Sequence, residues 1–415
     1  MSNTVLNPDI IAREAVMILE NNCVFGKLFY RGYEDEFDSV NGYKVGSTIR
    51  VRRPNDFTVR TGDTASIQDV TEVAEYISVD TKIGVDFQFS STDLTLKIGE
   101  LSERVIKPAM IQLANKIDQD CAAQFKYVPN WVPGATLDGN PINSFGDFAK
   151  GPTRLDNQAV PMEGRGAVLS PDDAWGLLGA QATLYSPELI KQAYTSGSLG
   201  NIGGCQTYMS QNLQTLTTGT RAGPSTARVN GSQTTTWATS GGGYTMTLLA
   251  DGFGTTTTVA AGEVFTINNV YAVNPVTKAT LSYLQPFSVV SAVTSDGGGG
   301  GTATLTITPP IIATGAHQTV SAAPADNATI TFFGTASTSY VQNMLFRKNA
   351  FALVVPPLIS PPGAVDVSRR SYKGFSVRVI PYYSGSNDIS AWRLDVLYGI
   401  KAIDPRQACR INGSS

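Results

Sequence analysis

The stretch LSERVIKPAMIQLANKIDQDCAAQF, residues 101–125, is the longest helical pattern in the sequence. Its apolar residues recur at nearly every fourth position, which places them on one narrow stripe of a helix. They are Leu101, Val105, Ala109, Leu113, Ile117, Cys121 and Phe125. A helix over about residues 98–126 would be roughly 40 Å long, and Pro108 marks either a kink or the true first turn. The narrow stripe favours a helix that lies along one side of a sheet.

On the N-terminal side of this helix, residues 43–97 predict two long strands joined by a polar tip. Ile49 and Val51 alternate with arginines, and Val85, Phe87 and Phe89 alternate with polar residues, which is the period of half-buried strands. Residues 53–69 between them are polar. A lone two-stranded hairpin is only marginally stable. We therefore expect this hairpin to lie on a surface, which another subunit could supply.

The sequence begins with a predicted helix over residues 8–20. Asn7 can cap it, Pro8 suits the first helical position, and Asp9 complements the positive end of the helix dipole. Ile11, Ala15, Ile18 and Leu19 form its apolar stripe. This pattern indicates an N-terminal arm that docks on another surface.

On the C-terminal side, residues 165–195 predict one strand and two helices. Ser170 and Ser186 each precede a proline and an acidic residue, which is a helix-start pattern. The composition then changes, because only six of the 118 residues from 223 to 340 are charged. This segment is rich in Thr, Gly, Ser and Val, and its strand candidates are Val264, Thr266, Ile267, Val289, Val290, 304–307 and 329–333. A five-glycine turn, 297–301, joins two of them.

The mixed composition returns at residue 341. Phe375, Val377 and Val379 alternate as in a strand, and residues 392–403 predict a long apolar strand. The segments on either side of 223–340 therefore look like two halves of one core. We predict a small all-β domain inserted between them, at a surface position with nearby ends.

Composition excludes several functional classes. The chain has 415 residues, of which 42% are hydrophobic and 16% charged, with a net charge of −3. A broadly basic nucleic-acid binder is therefore not expected. One histidine rules out a multi-histidine metal site, and the four cysteines are too far apart for a zinc or redox motif, so we expect buried free thiols. No secretory signal and no run of 18 apolar residues is present, which predicts a protein that does not span a membrane.

Candidate catalytic and ligand-binding features are weak. The glycine-rich run 197–204 lacks the Gly-Lys-Ser/Thr ending of a phosphate loop, so we interpret it as a turn entering a strand. His317 lies in a polar turn and is expected to be a solvated loop histidine. Acidic pairs could be metal ligands, but helix-surface and first-turn positions are the simpler interpretation; they are Asp118 with Asp120, and Asp172 with Asp173. No catalytic residue, metal site or cofactor is predicted.

Two clusters of charge are candidates for contacts between subunits. The basic cluster lies on the predicted hairpin and consists of Arg50, Arg52 and Arg53. The acidic cluster lies just before the hairpin and consists of Glu34, Asp35 and Glu36. Both could be solvated faces, or they could be complementary surfaces that set the register between subunits.

Several stretches also resemble a known family. LANKID at 113–118 resembles its spine-helix segment, and the glycine-rich residues 197–213 resemble the strand that leads to an insertion. The inserted barrel is suggested by AGEVFTI at 261–267, FSVV at 287–290 and TLTITP at 304–309. The closing core strands are suggested by NMLFRKNAF at 343–351 and LYGIKAIDPR at 397–406. In this order, the elements resemble the major capsid proteins of tailed bacteriophages with the Hong Kong 97 (Johnson) fold. The podovirus coat proteins of the P-twenty-two type are the more similar branch.

This resemblance implies an α+β fold with an inserted all-β, barrel-like domain. The implied parts are an N-terminal arm (1–36), an extended loop (37–97), discontinuous P and A domains (98–222 and 341–415) and the insertion (223–340). The implied function is a non-enzymatic major capsid protein that self-assembles into an icosahedral shell around phage double-stranded DNA.

The resemblance also implies the partners. They are other copies in hexamers and pentamers, a scaffolding protein, a portal protein, and packaged DNA bound without sequence specificity. Assembly in the host cytoplasm and a final place in the virion follow from the same resemblance. Two alternatives stay open: a cellular nanocompartment shell of the same fold, and a β-rich carbohydrate-binding or adhesive protein. The second is suggested by Trp237, Tyr244 and Tyr271 in the Thr- and Gly-rich segment.

Overall fold

The computed structural model describes most of the chain and divides it into two compact units. The described residues are 8–33, 48–90 apart from 61, 66, 69 and 71, 105–181, 199–221, 227–233, 244–297, 301–361, 367–384 and 389–413. The first unit comprises residues 1–50, 76–121 and 352–401, and the second comprises 51–75, 122–351 and 402–415.

Helices and strands both contribute to the fold, as predicted. The helices are α1 (Pro8–Asn22), α2 (Phe25–Leu28), α3 (Lys107–Ala122), α4 (Phe145–Asn157) and α5 (Pro171–Gln181). The strands of the first half are β1 (Thr48–Arg52), β2 (Ala74–Ser78), β3 (Thr81–Ser90), β4 (Trp131–Val132), β5 (Arg165–Leu169), β6 (Asn201–Ile202), β7 (Cys205–Met209), β8 (Thr215–Thr217), β9 (Arg228–Val229), β10 (Met246–Asp251) and β11 (Thr258–Val259). The remaining strands are β12 (Val264–Val273), β13 (Thr280–Val289), β14 (Val293–Thr294), β15 (Ala303–Thr308), β16 (Ile330–Phe332), β17 (Ser339–Val341), β18 (Asn343–Arg347), β19 (Phe351–Val354), β20 (Ser368–Tyr372), β21 (Phe375–Ser384), β22 (Ile389–Ala402) and β23 (Ala408–Ile411).

The first unit is built on a sheet in the order β19-β22-β21-β20, with β3 also paired to β22. Helix α1 packs on β20 and β21, and Ile11, Ala15 and Leu19 of its predicted stripe are buried. The long helix α3 begins at Lys107, directly after a π-helical turn at residues 105–106, so Pro108 lies in the first turn of the α-helix. Its stripe is buried at Ala109, Leu113, Ile117 and Cys121, as the four-residue spacing predicted.

The predicted hairpin of 43–97 has a different pairing in the structure. Strand β1 pairs with β2, which directly precedes β3. Strand β3, which carries Val85 and Phe87, instead runs antiparallel to β22 from Thr81↔Tyr398 to Ser90↔Ile389. The predicted pairing of the Ile49–Val51 strand with the Val85–Phe87 strand is therefore wrong. The alternation identifies the less exposed face of each strand, since Ile49 and Val51 are buried and Val85 and Phe87 half-buried, but β22 offers β3 a longer partner.

The second unit contains a sheet in the order β4-β23-β18-β5-β7-β6. Its core includes Phe148 and Leu155 of α4, Leu177 of α5, and Leu345 and Ile411 of the sheet. Ser170 caps α5 through its Oγ atom, which accepts the Asp173 N–H at 3.2 Å. The second predicted helix of this region, from Ser186, lies outside the described residues.

The charge-poor segment of the second unit forms a closed β barrel. Its strands follow the order β16-β12-β13-β15-β10-β9. The ring closes where the Val229 N–H donates to the Ala328 carbonyl at 3.0 Å and the Ile330 N–H donates to the Ala227 carbonyl at 2.8 Å. The interior is packed with apolar side chains, among them Phe253, Phe265, Phe287 and Phe332. Strands β8 and β17 pair just outside the barrel, so the chain enters and leaves side by side. The domain boundaries 223 and 340 stay a prediction.

Candidate intersubunit interface

The loop between β1 and β2 presents apolar side chains to solvent, so the interpretation of residues 53–69 as a polar tip is wrong. We call residues 53–73 the apolar loop. Val59 and Ile67 are 94% and 95% exposed, and Phe57 and Val70 are more than half exposed. Four exposed large apolar side chains on one short loop are unusual, because scattered single ones are the norm on a monomer. This concentration marks the loop as the strongest candidate contact surface among the described residues.

Side-chain to backbone hydrogen bonds order the apolar loop internally. Gln68 Oε1 accepts from the Thr58 N–H at 2.9 Å and from the Thr58 hydroxyl at 2.8 Å. Gln68 Nε2 donates back to the Thr58 carbonyl at 2.6 Å. Arg60 donates to the carbonyls of Gly62 and Thr64. The side chains of Thr58, Arg60 and Gln68 therefore bond within the loop, and Phe57, Val59, Ile67 and Val70 face solvent.

Four charged side chains hold the base of this loop. We call Arg53, Asp56, Asp404 and Arg406 the anchor cluster. Asp404 accepts from Arg53 Nη2 at 2.7 Å and from Arg406 Nε and Nη2 at 3.0 and 3.1 Å. Arg406 Nη1 reaches across to Asp56 Oδ2 at 3.0 Å. One guanidinium group thus bridges two carboxylates, one from the loop and one from the turn after β22.

The anchor cluster keeps both carboxylates ionised. Burial alone would raise the pKa of Asp56, but His317, Arg406 and Lys278 together outweigh it and lower that pKa to about 2. Burial is likewise outweighed at Asp404, where Arg406 and Arg53 hold the pKa well below its usual range. The ion pairs therefore stay intact at any pH above about 4.

The barrel segment supplies three further side chains to the anchor cluster. The Tyr244 ring lies against two guanidinium groups, with its centroid 4.3 Å from the Arg53 carbon and 5.7 Å from that of Arg406. His317 Nδ1 lies 3.7 Å from Asp56 Oδ2. Lys278 donates to the neighbouring Ala316 carbonyl. The expectation that His317 is a solvated loop residue is wrong, because its side chain is only 16% exposed and faces a carboxylate.

The structure separates the three arginines of the predicted basic cluster. Arg50 is exposed, and Arg52 forms a surface ion pair with Glu72 at 2.9 Å. Arg53 points the other way and is buried in the anchor cluster. The predicted acidic partners, Glu34, Asp35 and Glu36, lie outside the described residues. Their pairing with the arginines of a neighbouring subunit stays a prediction.

The acidic pairs that could have bound metal have structural partners instead. Asp118 is fully buried and accepts the N–H groups of Val24 at 2.7 Å and Gly26 at 3.3 Å, so its interpretation as a helix-surface residue is wrong. Asp120 pairs with Lys116 at 2.7 Å and accepts the Tyr398 hydroxyl. Asp172 lies in the first turn of α5, as expected. Among the described residues, no group of three or more His, Cys, Asp or Glu side chains could hold a metal ion.

The expectations for the cysteines and for the glycine-rich run are confirmed at the level of local structure. The four cysteines are buried free thiols. Gly203 and Gly204 form the positive-φ turn between β6 and β7, in agreement with a turn that enters a strand. No helix in the described part of the chain is long and apolar enough to cross a membrane.

Sequence reasoning missed the anchor cluster almost entirely. Only Arg53 was singled out for contacts, and Asp404 and Arg406 were noted only as part of a closing strand. About 350 residues separate Asp56 from Arg406 along the chain, so no local spacing connects them. The signal that could have found the cluster is the scarcity of charge in the barrel segment, which makes Lys278 one of only two basic residues there.

Comparison with known proteins identifies relatives over nearly the whole chain. The family model described as the P22 coat protein (gene protein 5) matches residues 5–411. The major capsid protein of Acyrthosiphon pisum secondary endosymbiont phage 1 is 22% identical over 394 residues, which cover 89% of this chain and 90% of that protein. Among solved structures, one from Mycobacterium phage Che8 has a TM-score of 0.48 at 13% identity and covers 94% of this chain and 90% of the other. The capsid of Ralstonia phage GP4 gives a TM-score of 0.42 at 9% identity, with 94% and 87% coverage.

Proposed function

Because the chain belongs to the P22 coat protein family and is a phage major capsid protein, we propose that its apolar loop is a clasp between neighbouring copies in the shell. The resemblance to tailed-phage coat proteins of the P-twenty-two type, predicted from the sequence, is confirmed by this membership. Self-association into a shell of the virion follows from it. Membership also favours the phage shell over a cellular nanocompartment or a carbohydrate-binding protein.

The observation that carries the clasp proposal is the exposure of Val59 and Ile67 on a loop that Thr58, Arg60 and Gln68 tie together by internal hydrogen bonds. Burial of apolar surface contributes about 25 cal/mol per Å², so each side chain would gain roughly 1.5–3 kcal/mol on full burial in a neighbour. Such contacts are individually weak. Repeated around a shell, they add up through avidity, and a wrongly placed subunit can still dissociate.

We propose the remaining features of the shell on the basis of the resemblance and the charge. Copies assemble as hexamers and pentamers around a scaffolding protein in the host cytoplasm, with a portal protein through which double-stranded DNA enters. The net charge of −3 suits a lining that encloses DNA without binding it tightly or reading its sequence. The protein acts as a structural subunit and catalyses no reaction.

The contacts and parts of the subunit also belong to this proposal. Residues 1–36 act as an arm, 37–97 as the extended loop, 98–222 with 341–415 as the P and A domains, and 223–340 as an inserted domain. Arg50 and Arg52, with their exposed side chains, meet the acidic residues 34–36 of a neighbouring copy. Arg53 is buried, so it supports the intersubunit contact only indirectly, by holding the base of the loop through Asp404.

The test is shell assembly by a variant with polar side chains in the loop. We expect the double variant Val59→Ser with Ile67→Ser to stay as unassembled subunits, or to need about ten times more protein, under conditions in which the unchanged chain forms closed shells with its scaffolding protein. Sedimentation and electron microscopy measure this. The matched control is Val276→Ser, which changes a valine that is 67% exposed on the barrel. Normal assembly of the double variant would contradict the clasp.

A further inference from the structure

Three segments that are far apart in the sequence converge on the Arg406 side chain. The loop supplies Asp56, the turn after β22 supplies Asp404, and the barrel segment supplies Tyr244. We infer that Arg406 is a positioning residue that sets the direction of the apolar loop by bridging Asp56 to Asp404, and that the barrel segment holds this bridge in place. This inference rests on the proposed function of the loop as a clasp.

The geometry of the bridge fixes the position of Asp56. Arg406 bonds to Asp404 through Nε and Nη2, so its guanidinium plane is fixed to its own turn. The backbone N–H of Arg406 also donates to Asp404 Oδ1 at 3.3 Å. Only Nη1 remains to reach the loop, where it bonds to Asp56. A planar fork of this kind has directional bonds, whereas a lysine ammonium would act as a point charge. Asp56 is thereby held at a defined distance and direction from the turn.

The barrel segment contributes to the surroundings of Asp56. Three side chains from outside the loop lower the pKa of Asp56: His317 through a hydrogen bond, Arg406 through its charge and a hydrogen bond, and Lys278 through its charge. His317 comes from the turn after β15, and Lys278 from the turn between β12 and β13. Tyr244, which is 3% exposed, packs against both guanidinium groups. A shift of this part of the barrel would therefore change the electrostatic environment of the loop base.

Part of the anchor cluster is shielded from solvent. Arg53, Tyr244 and Asp404 are all less than 9% exposed. Ion pairs in such surroundings are screened little by salt, and removal of one partner leaves the other charge buried and unpaired. The contact of Arg406 with Asp56 is more open, with side chains 20% and 24% exposed, but it is better shielded than the surface pair of Arg52 with Glu72, whose side chains are 64% and 40% exposed. The internal bonds of the loop would then transmit the direction of Asp56 to Val59 and Ile67.

The first experiment measures the direction-setting role without reference to assembly. Hydrogen exchange of the full-length, unassembled chain is followed by mass spectrometry for Asp56→Asn, with Asp86→Asn as the matched control because Asp86 forms an exposed 3.9 Å pair with Arg393 elsewhere. We expect exchange of the amides in residues 57–70 to speed up by about tenfold in Asp56→Asn. Exchange in β12 and β13 should stay unchanged, and the control should match the unchanged chain at the loop.

Two further variants separate positioning from general loss of structure. Arg406→Lys keeps the charge but cannot bridge both carboxylates, so we expect it to speed loop exchange as Asp56→Asn does. The double variant of Asp56→Asn with Arg406→Gln should exchange at the rate of Arg406→Gln alone, because both changes break one bridge. Unchanged loop exchange in Asp56→Asn, or additive effects in the double variant, would overturn the inference.

Assembly then connects the bridge to function. We expect Asp56→Asn to raise the protein concentration needed for shell formation by about tenfold. The fraction of protein in closed shells should fall in proportion to the rise in hydrogen exchange at the loop amides. If the loop loosens but shells form normally, the bridge does not position a clasp and the inference fails. If the serine variants at Val59 and Ile67 assemble normally while Asp56→Asn still loosens the loop, the clasp is wrong. In that case the bridge positions the loop for no contact that assembly requires.

Discussion

At the scale of single residues, Asp118 gives the fold a pH dependence. Burial raises its pKa to about 6, despite the backbone N–H groups of Val24, Gly26 and Phe25 that favour the ionised form. In the unfolded chain the same carboxyl titrates near 4. Between these values the folded chain holds more protons, so the free energy of unfolding falls as the pH rises from about 4 to 6, by about 3 kcal/mol in total, and is then constant.

The prediction for Asp118→Asn follows from this. The amide cannot ionise, so the variant should lack the fall between pH 4 and 6, and its stability relative to the unchanged chain should improve steadily across that interval. Urea unfolding of both proteins at pH 4, 5, 6 and 7 measures the difference. If the free energy of unfolding depends on pH in the same way for both proteins, Asp118 has the same pKa in the folded and unfolded chain, and the prediction is wrong. Asp172→Asn, at an exposed position in the first turn of α5, serves as the control.

Arg410 is a buried cation whose hydrogen bonds go to neutral acceptors. It donates to the carbonyls of Gly262 and Val128, each at 2.8 Å, and to Gln342 Oε1 at 2.9 Å, and burial lowers its pKa to about 9. Methionine in its place would leave these acceptors buried without donors, at about 1–3 kcal/mol each. We expect Arg410→Met to lose at least about 3 kcal/mol of stability in chemical denaturation. The control is Arg347→Met, at a half-buried arginine, which should lower the free energy of unfolding by about 1 kcal/mol or less. Equal losses in the two variants would show that the buried acceptors of Arg410 do not matter.

At the scale of elements, the entry into the barrel depends on one close backbone approach. A Cβ atom on Gly219 would lie 2.0 Å from the Thr258 carbonyl oxygen, while one on Gly297 would meet nothing within 4 Å. The Gly219 N–H also donates to Glu263 Oε1 at 2.7 Å, which ties this segment to the start of β12. We expect Gly219→Ala to lower the free energy of unfolding by about 1–3 kcal/mol, because the backbone must shift to make room for the Cβ atom. Thermal unfolding measures this. The free energy of unfolding of Gly297→Ala should be within about 0.5 kcal/mol of that of the unchanged chain. If Gly219→Ala is equally stable, the backbone does not approach as closely as described.

The elements show what periodicity can and cannot predict. The stripe from Ala109 to Cys121 identifies the buried face of α3, and the alternation at Val85 and Phe87 identifies the less exposed face of β3, because burial imposes the period of each element. Periodicity does not say which strand lies alongside. Strand β3 was assigned to β1, although its partner is β22, about 300 residues further along the chain. The short strand β2, AEYIS, had too little alternation to be seen as the actual partner of β1.

At the scale of the whole molecule, the sequence carries a stronger signal for the change in composition near residue 223 than for the candidate site. The change in composition at about residue 223 shows in a count of charges, because a small barrel core leaves few positions where a charge is needed. The anchor cluster depends instead on three distant segments meeting at Arg406. Local sequence carries almost no information on such a meeting, and the one residue singled out, Arg53, was expected on the surface with Arg50 and Arg52.

The closed barrel leads to the last prediction, that residues 223–340 fold on their own. Its core of four phenylalanines lies within the segment, its ring closes between Ala227 and Ile330, and its two ends leave together through β8 and β17. Limited proteolysis of the full-length chain should therefore release a resistant fragment of about this size. Immediate digestion of the segment to small peptides would count against it.

Arg410 provides the sharper form of this test. Its bonds to the Gly262 carbonyl and to Ser288 Oγ join the barrel to strand β23 from outside the segment. If the barrel is an independent unit, Arg410→Met should make the full-length chain easier to cleave at the ends of the segment, while the released fragment keeps the resistance it has in the unchanged protein. If the fragment itself becomes sensitive, the barrel depends on β23 for its fold, and the inserted segment is then part of one cooperative unit with the core.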